Sequence, residues 1–178
     1  MAQEQKEEQR LQSQAPDKGW FTGYKGGEEM PLAGYATLLG IYNAAFAAIL
    51  LAAKSGGHKL PERIGYADLL LLGVATHKLS RLIAKDRVTS PLRAPFTEYE
   101  GPAGASEIKE KVRGRGMRRA IGDLLTCPWC MAPWVAAALS FGFVFKPRAT
   151  RFISSVFAVV AVSDFLQHAA EAVKEKEK

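Results

Sequence analysis

The sequence predicts an all-α fold, a four-span transmembrane helix bundle with a disordered polar N-terminal tail. Three observations carry this. Hydrophobic residues make up 48% and charged residues 24% of the 178, ordinary averages for a globular chain. The charges are nevertheless distributed very unevenly: Pro31 to Ala53 holds none in 23 residues, and Leu124 to Phe145 none in 22. Two further stretches, 64–84 and 152–173, are apolar along much of their length and polar at one end. The length suits one domain, and the composition excludes collagen-like, coiled-coil, disulfide-rich and fully disordered classes.

Residues 1–30 form the tail. They are rich in Gln and Glu, with four basic and six acidic residues and no apolar run of signal-peptide length. A short helix through Glu4 to Gln12 is the one element expected there. Trp20, Phe21 and Tyr24 precede the first span, where aromatic side chains sit at the headgroup level.

The membrane bundle covers residues 31–173. The first span, 32–53, reaches about 33 Å as a helix, enough for a hydrocarbon core of about 30 Å. It is rich in small residues such as Gly34, Ala36 and Gly40, which let helices approach closely, and Asn43 is its one strongly polar interior group. A Gly- and Pro-bearing connector, 54–63, leads to the second span, 64–84. That span is weaker, because Asp68 precedes its apolar centre and His77, Lys78 and Arg81 follow it. On a helical wheel counted from Asp68, His77 falls at about 180°, Arg81 at about 220°, Lys85 at about 260° and Lys78 at about 280°. The basic groups thus gather on one face, with Asp68 expected to point away from it.

A long basic loop, 85–120, follows. Ser90 and Ala94 each precede a proline, which biases them to extended backbone. The run Ser90-Pro91-Leu92-Arg93-Ala94-Pro95-Phe96 is therefore expected to lie extended along the mouth of the bundle. Phe96 and Tyr99 would anchor it, with Arg87 and Arg93 reaching phosphates or Asp123. The third span, 121–145, is interrupted by Pro128 and Pro133. A tight connector, 146–151, leads to the fourth span, 152–173, which carries Asp164, His168 and Glu171 late in its course. Residues 174–178 are a charged tail.

Lys and Arg accumulate on the cytoplasmic side of membrane spans. With four spans, the two tails and the long loop share one side and hold 16 basic residues, against 6 in the two short connectors. A multi-pass membrane protein with both termini and the long loop cytoplasmic follows. His77, Lys78, Arg81, Cys127, Cys130, Asp164 and His168 then fall at one depth, near the cytoplasmic face. Ionisable groups inside a membrane are costly and normally paired. Asp164 is expected to pair with Arg81, whose planar fork matches a carboxylate, or else with Lys78.

Cys127-Pro128-Trp129-Cys130 supports three chemistries. The two thiols can cycle with a disulfide, bind a metal, or pack as small apolar groups. No cofactor is expected outright. Zinc is the metal that Cys127, Cys130, His77 and His168 would take as a Cys2His2 set. The layout is similar to that of the small quinone-linked membrane thiol oxidoreductases. It departs from them in lacking a second cysteine pair and in facing a reducing compartment.

Lys109, Lys111, Arg113, Arg115, Arg118 and Arg119 precede the third span, and such clusters are attracted to anionic lipid headgroups. No aromatics interleave with these arginines, which argues against a nucleic-acid partner. The bilayer, anionic lipid and a protein bound through loop 85–120 are the partners expected.

Two stretches resemble a known family. Ala75-Thr76-His77-Lys78-Leu79-Ser80-Arg81-Leu82-Ile83-Ala84-Lys85-Asp86 continues into Val88-Thr89-Ser90-Pro91-Leu92-Arg93-Ala94-Pro95-Phe96. Gly122-Asp123-Leu124-Leu125-Thr126-Cys127-Pro128-Trp129-Cys130 and Trp134 follow. Over about residues 65–145 they resemble the uncharacterised bacterial proteins catalogued as domain of unknown function 1360. The resemblance implies a bacterial integral membrane protein and supplies no activity. The leading expectation is a non-enzymatic scaffold or partner-binding subunit. The alternatives are a membrane thiol-redox or metal-binding protein and a small transporter subunit in which Asp164 and Arg81 form a relay.

Overall fold

A computed structural model describes residues 24, 30–104 and 106–176. The expected tail, its short helix, and Trp20 and Phe21 lie outside the described residues. Tyr24 is exposed.

Helix α1 spans Leu32–Ser55. Two of its polar groups are satisfied along the helix itself: Thr37 donates to the Ala33 carbonyl and Asn43 Nδ2 to the Leu39 carbonyl, both at 2.8 Å. It stops at Gly56, whose N–H returns to the Ala52 carbonyl, and Gly57 follows at φ 72°, a backbone only glycine adopts without strain. Helix α2 spans Tyr66–Lys85 and ends where Asp86 turns extended. A 3₁₀ turn at Arg87–Thr89 runs into the one-turn helix α3, Ser90–Arg93. Strands β1, Thr97–Pro102, and β2, Ile108–Val112, pair antiparallel, with Thr97 opposite Val112 and Tyr99 opposite Glu110. A bulge shifts the register between Tyr99 and Gly101. Then come α4, Gly116–Thr126, α5, Pro128–Phe145, and α6, Pro147–Lys176.

The fold is therefore mostly helical with a small two-stranded sheet, not all-α. Three helices, α1, α5 and α6, are long and apolar enough to cross a membrane, where four spans were expected. The second expected span exists as α2, but Asp68, Lys78, Arg81 and Lys85 make it too polar to join them. The third is split: Cys127, forced extended before Pro128, has φ −106° and ψ 106° and separates α4 from α5.

Side-chain contacts fix the helix directions. Tyr42 meets Trp134 with ring centroids 5.1 Å apart, and Phe46 meets Phe141 at 4.9 Å, so α1 and α5 run the same way. Arg151 meets Asp68 near the start of α6, and Asp164 meets Lys78 farther along, so α6 and α2 also run together. The His58 ring, in the first connector, sits against Phe145 at the end of α5. The helices thus alternate in direction. The hairpin and the starts of α4 and α5 share a loop end with the end of α2. The connectors 56–65 and the α5–α6 turn share the other end. Between them lies an apolar cluster of Leu72, Ala75, Met131, Val135 and Leu139, flanked by Leu79, Trp134 and Phe157.

Candidate functional site

The loop end concentrates the charged side chains. Arg93 is its centre and is fully buried, 0% exposed. An arginine survives such burial only when all its donors are engaged. Its Nε pairs with the buried Glu110 carboxylate on β2. Nη1 donates to the Ile83 carbonyl at 2.5 Å and to the Thr89 hydroxyl at 2.7 Å, and Nη2 donates to the Asp86 carbonyl at 2.9 Å. The last carbonyls of a helix lack partners within it, and a cation suits that end of the dipole. Arg93 therefore caps α2 and ties it to the hairpin. The Thr97 hydroxyl lies 2.9 Å from the Arg93 carbonyl and 3.1 Å from Glu110 Oε1, closing the ring.

Beside this lock lies an acid–base cluster. Lys78 Nζ is 2.7 Å from Asp164 Oδ2 and 3.9 Å from Asp86 Oδ2, and the lysine side chain is only 12% exposed. Arg81 pairs with Glu107, next to the hairpin. Asp86 lies beyond the end of α2, and burial pushes its carboxyl above the usual range, against the opposing pull of Lys78. At the other end of the bundle Arg151 clamps Asp68 with two hydrogen bonds, 2.8 and 2.9 Å.

Several expectations need correction. Arg81 does not reach Asp164; Lys78 does. The wheel angle explains part of this: about 280° lies only about 80° round from Asp68, so Lys78 and Asp68 both meet α6 rather than pointing apart. Ser90 and Ala94 are helical, with ψ of −32° and −34°; Pro91 fits the first turn of α3, where its missing N–H costs nothing, and the Ala94 N–H returns to the Ser90 carbonyl. The segment is thus folded, not extended. Arg93 points inward to Glu110, while Asp123 accepts from the Tyr35 hydroxyl at 2.7 Å. Phe96 is half-buried, and Tyr99 and Arg87 are exposed.

Cys127 and Cys130, for which redox cycling, metal binding and packing stood as alternatives, are joined as a disulfide. His77 is exposed, and His168 is exposed and lies 3.7 Å from Glu171. Among the described residues no three His, Cys, Asp or Glu side chains gather as a metal would need, so the Cys2His2 set is not assembled. Of the basic run, Lys109, Lys111, Arg113 and Arg115 are exposed. Arg113 and Arg118 donate to the Ala94 and Pro95 carbonyls, which pins the hairpin's return strand and α4 to the loop. Arg119 lies 3.9 Å from Asp123.

Sequence reasoning missed the hairpin and the residues it supplies, Glu107, Glu110 and Thr97. A signal was present. Ile108-Lys109-Glu110-Lys111-Val112 alternates, with Ile108 buried and Lys109 and Lys111 out, and Gly101-Pro102 and Gly104 mark a turn before it.

No solved structure matches the chain. Among curated proteins it is similar to the sporulation protein YjcA of Bacillus subtilis (strain 168). The two are 29% identical over 102 residues, which cover 56% of this chain and 86% of that relative. It is also similar to the UPF0713 protein YngL of the same strain, 25% identical over 109 residues, covering 61% of this chain and 82% of the relative. The family profile described as protein of unknown function (DUF1360) matches residues 71–170, a stretch that holds the Arg93 lock, the Lys78 cluster and the cysteine pair. That match covers more than half of the sequence, and the chain belongs to the DUF1360 family.

Proposed function

We propose that this chain is a multi-pass bacterial cell-membrane protein that serves as a non-enzymatic scaffold or partner-binding subunit through the hairpin at its loop end. One observation carries the reading: the charged groups at that end engage one another and the backbone, which fixes a folded surface. Arg93 with Glu110, Arg81 with Glu107, and Lys78 with Asp164 each join two different segments. Such pairs favour a single arrangement of the loop over catalytic reach.

The alternation of helix directions supports α2 as a short fourth crossing, with Asp68 and Lys78 facing α6. Both termini and the loop then lie on one side, and the balance of Lys and Arg favours the cytoplasm for it. The exposed Lys109, Lys111, Arg113 and Arg115 suit anionic headgroups, at about 1 kcal/mol for each residue near the surface. Tyr99, exposed on β1, suits a protein contact.

A photo-crosslinking amino acid at Tyr99, and another at the exposed apolar Leu70 of α2, test the reading in native membranes. The Tyr99 position should give a protein adduct of defined mass, and the Leu70 position lipid adducts. The Tyr99 adduct should persist when both cysteines are replaced by serine. A Tyr99 position that captures nothing contradicts the reading.

A further inference from the structure

We propose that Cys127 and Cys130 are a thiol–disulfide exchange site that takes electrons from a dithiol. This is independent of the scaffold reading. The pair opens α5, an 18-residue helix with Pro128 at its first position. Cys127 is the N-cap residue, and its Sγ accepts the backbone N–H of Cys130 at 3.2 Å. Helix N-termini stabilise thiolate, so Cys127 is the better leaving group of the two. Cys130 is exposed while Cys127 is half-buried, so the sulfur open to attack is that of Cys130. Trp129 stands between them 80% exposed, an apolar surface beside the reacting bond that nothing among the described residues covers.

The location argues against a staple. The bond links residues only three apart, and a loop that short constrains the unfolded chain little. Other contacts already hold the neighbouring helices: Tyr35 with Asp123 on α4, and Tyr42 with Trp134 on α5.

The exchange balances in two steps. A thiolate of the dithiol attacks Cys130 Sγ, forming a mixed disulfide and breaking the Cys127–Cys130 bond. Cys127 leaves with the electron pair as a thiolate. The second thiolate of the dithiol attacks its own sulfur in the mixed disulfide and releases Cys130. The dithiol ends as a disulfide, two electrons have passed to the pair, and the two protons of the dithiol end on Cys127 and Cys130 or in solvent.

The test uses the full-length protein in detergent. The oxidised wild type is treated with dithiothreitol under non-denaturing conditions and then with glutathione disulfide, and free thiols are read by a maleimide gel shift. The pair should reduce and reoxidise completely, with two thiols counted. The Cys127→Ser variant should form a mixed disulfide with glutathione at Cys130. The Cys130→Ser variant should alkylate at Cys127 with iodoacetamide, at about pH 6, at least about threefold faster than free cysteine. A wild-type bond that resists dithiothreitol until the protein is denatured overturns the proposal, and the wild-type arm stands even if a variant fails to fold. Alkylation of Cys127 no faster than free cysteine overturns it as well.

Discussion

Arg93 sets the terms at the residue scale. Removing it strands the buried Glu110 carboxylate and uncaps the Ile83 and Asp86 carbonyls together. Breaking one side of a buried pair costs about 3–5 kcal/mol. Arg93→Ala should therefore lower the melting temperature in detergent sharply and open the hairpin to protease before the helices. The double variant with Glu110→Ala should recover part of that loss, because no charge is then left buried alone; no recovery would contradict the lock. Asp164→Asn is a milder case, since Asp164 is more exposed and Lys78 keeps Asp86 nearby. About 1 kcal/mol of destabilisation is expected, and an unchanged melting temperature would count against the Lys78 pair.

Asp86 gives a dependence on pH. Its folded carboxyl is raised above the ordinary 3.8, so the folded chain holds its proton where the unfolded chain has lost it. The resulting stability is fully present below pH 3.8 and is lost as pH climbs through the folded value. Asparagine mimics the protonated form. Asp86→Asn should melt higher than the parent at about pH 7 and converge with it on acidification. Melting curves that stay parallel across that range would contradict the assignment.

Close approach governs the element scale. A Cβ on Gly34 would sit 2.7 Å from Ala120 Cβ and 3.3 Å from the Gly116 carbonyl oxygen, atoms that cannot swing aside. Gly34→Val should push α1 off α4 at a cost of about 1–3 kcal/mol, read as a lower melting temperature, whereas Gly40→Val, with open space around it, should change little. Equal effects at the two positions would contradict this packing.

What the sequence could disclose divides along the same lines. The apolar runs of α1, α5 and α6 were legible because an uncharged stretch of that length has few other uses. The break at Cys127 was legible from Pro128. The hairpin was not, because Pro91, Pro95 and Pro102 suggested an irregular loop and its strands are short. The partners of Arg81 and Arg93 were missed for the same reason: Glu107 and Glu110 reach them only once β2 has folded back. For Lys78, adding angles without closing the circle hid its nearness to Asp68. The spacing of Cys127 and Cys130 does not decide between disulfide, metal site and packed thiols, because compartment decides it as well.

For the whole molecule, alternating helix directions put the basic loop and the short connectors at opposite ends. Loop 85–120 and the end of α6 share one end, and the short connectors share the other. The α1 and α6 surfaces carry apolar side chains such as Leu51, Val159 and Phe165 in the open, as lipid contact requires. The cytoplasmic hairpin follows if α2 completes a fourth crossing. If it does not, the hairpin lies on the same face as the first connector, opposite the amino tail.

Single reporter cysteines in a chain whose Cys127 and Cys130 are serine test this most directly. One replaces Lys59 in the first connector, one Lys109 on the hairpin and one Lys174 near the end of α6. Each is labelled in intact cells with a membrane-impermeant maleimide, before and after permeabilisation. The four-crossing account predicts that Lys59→Cys labels in intact cells, and that Lys109→Cys and Lys174→Cys label only once the membrane is opened. Labelling of Lys109→Cys from outside, or of Lys59→Cys and Lys109→Cys from the same side, would contradict it.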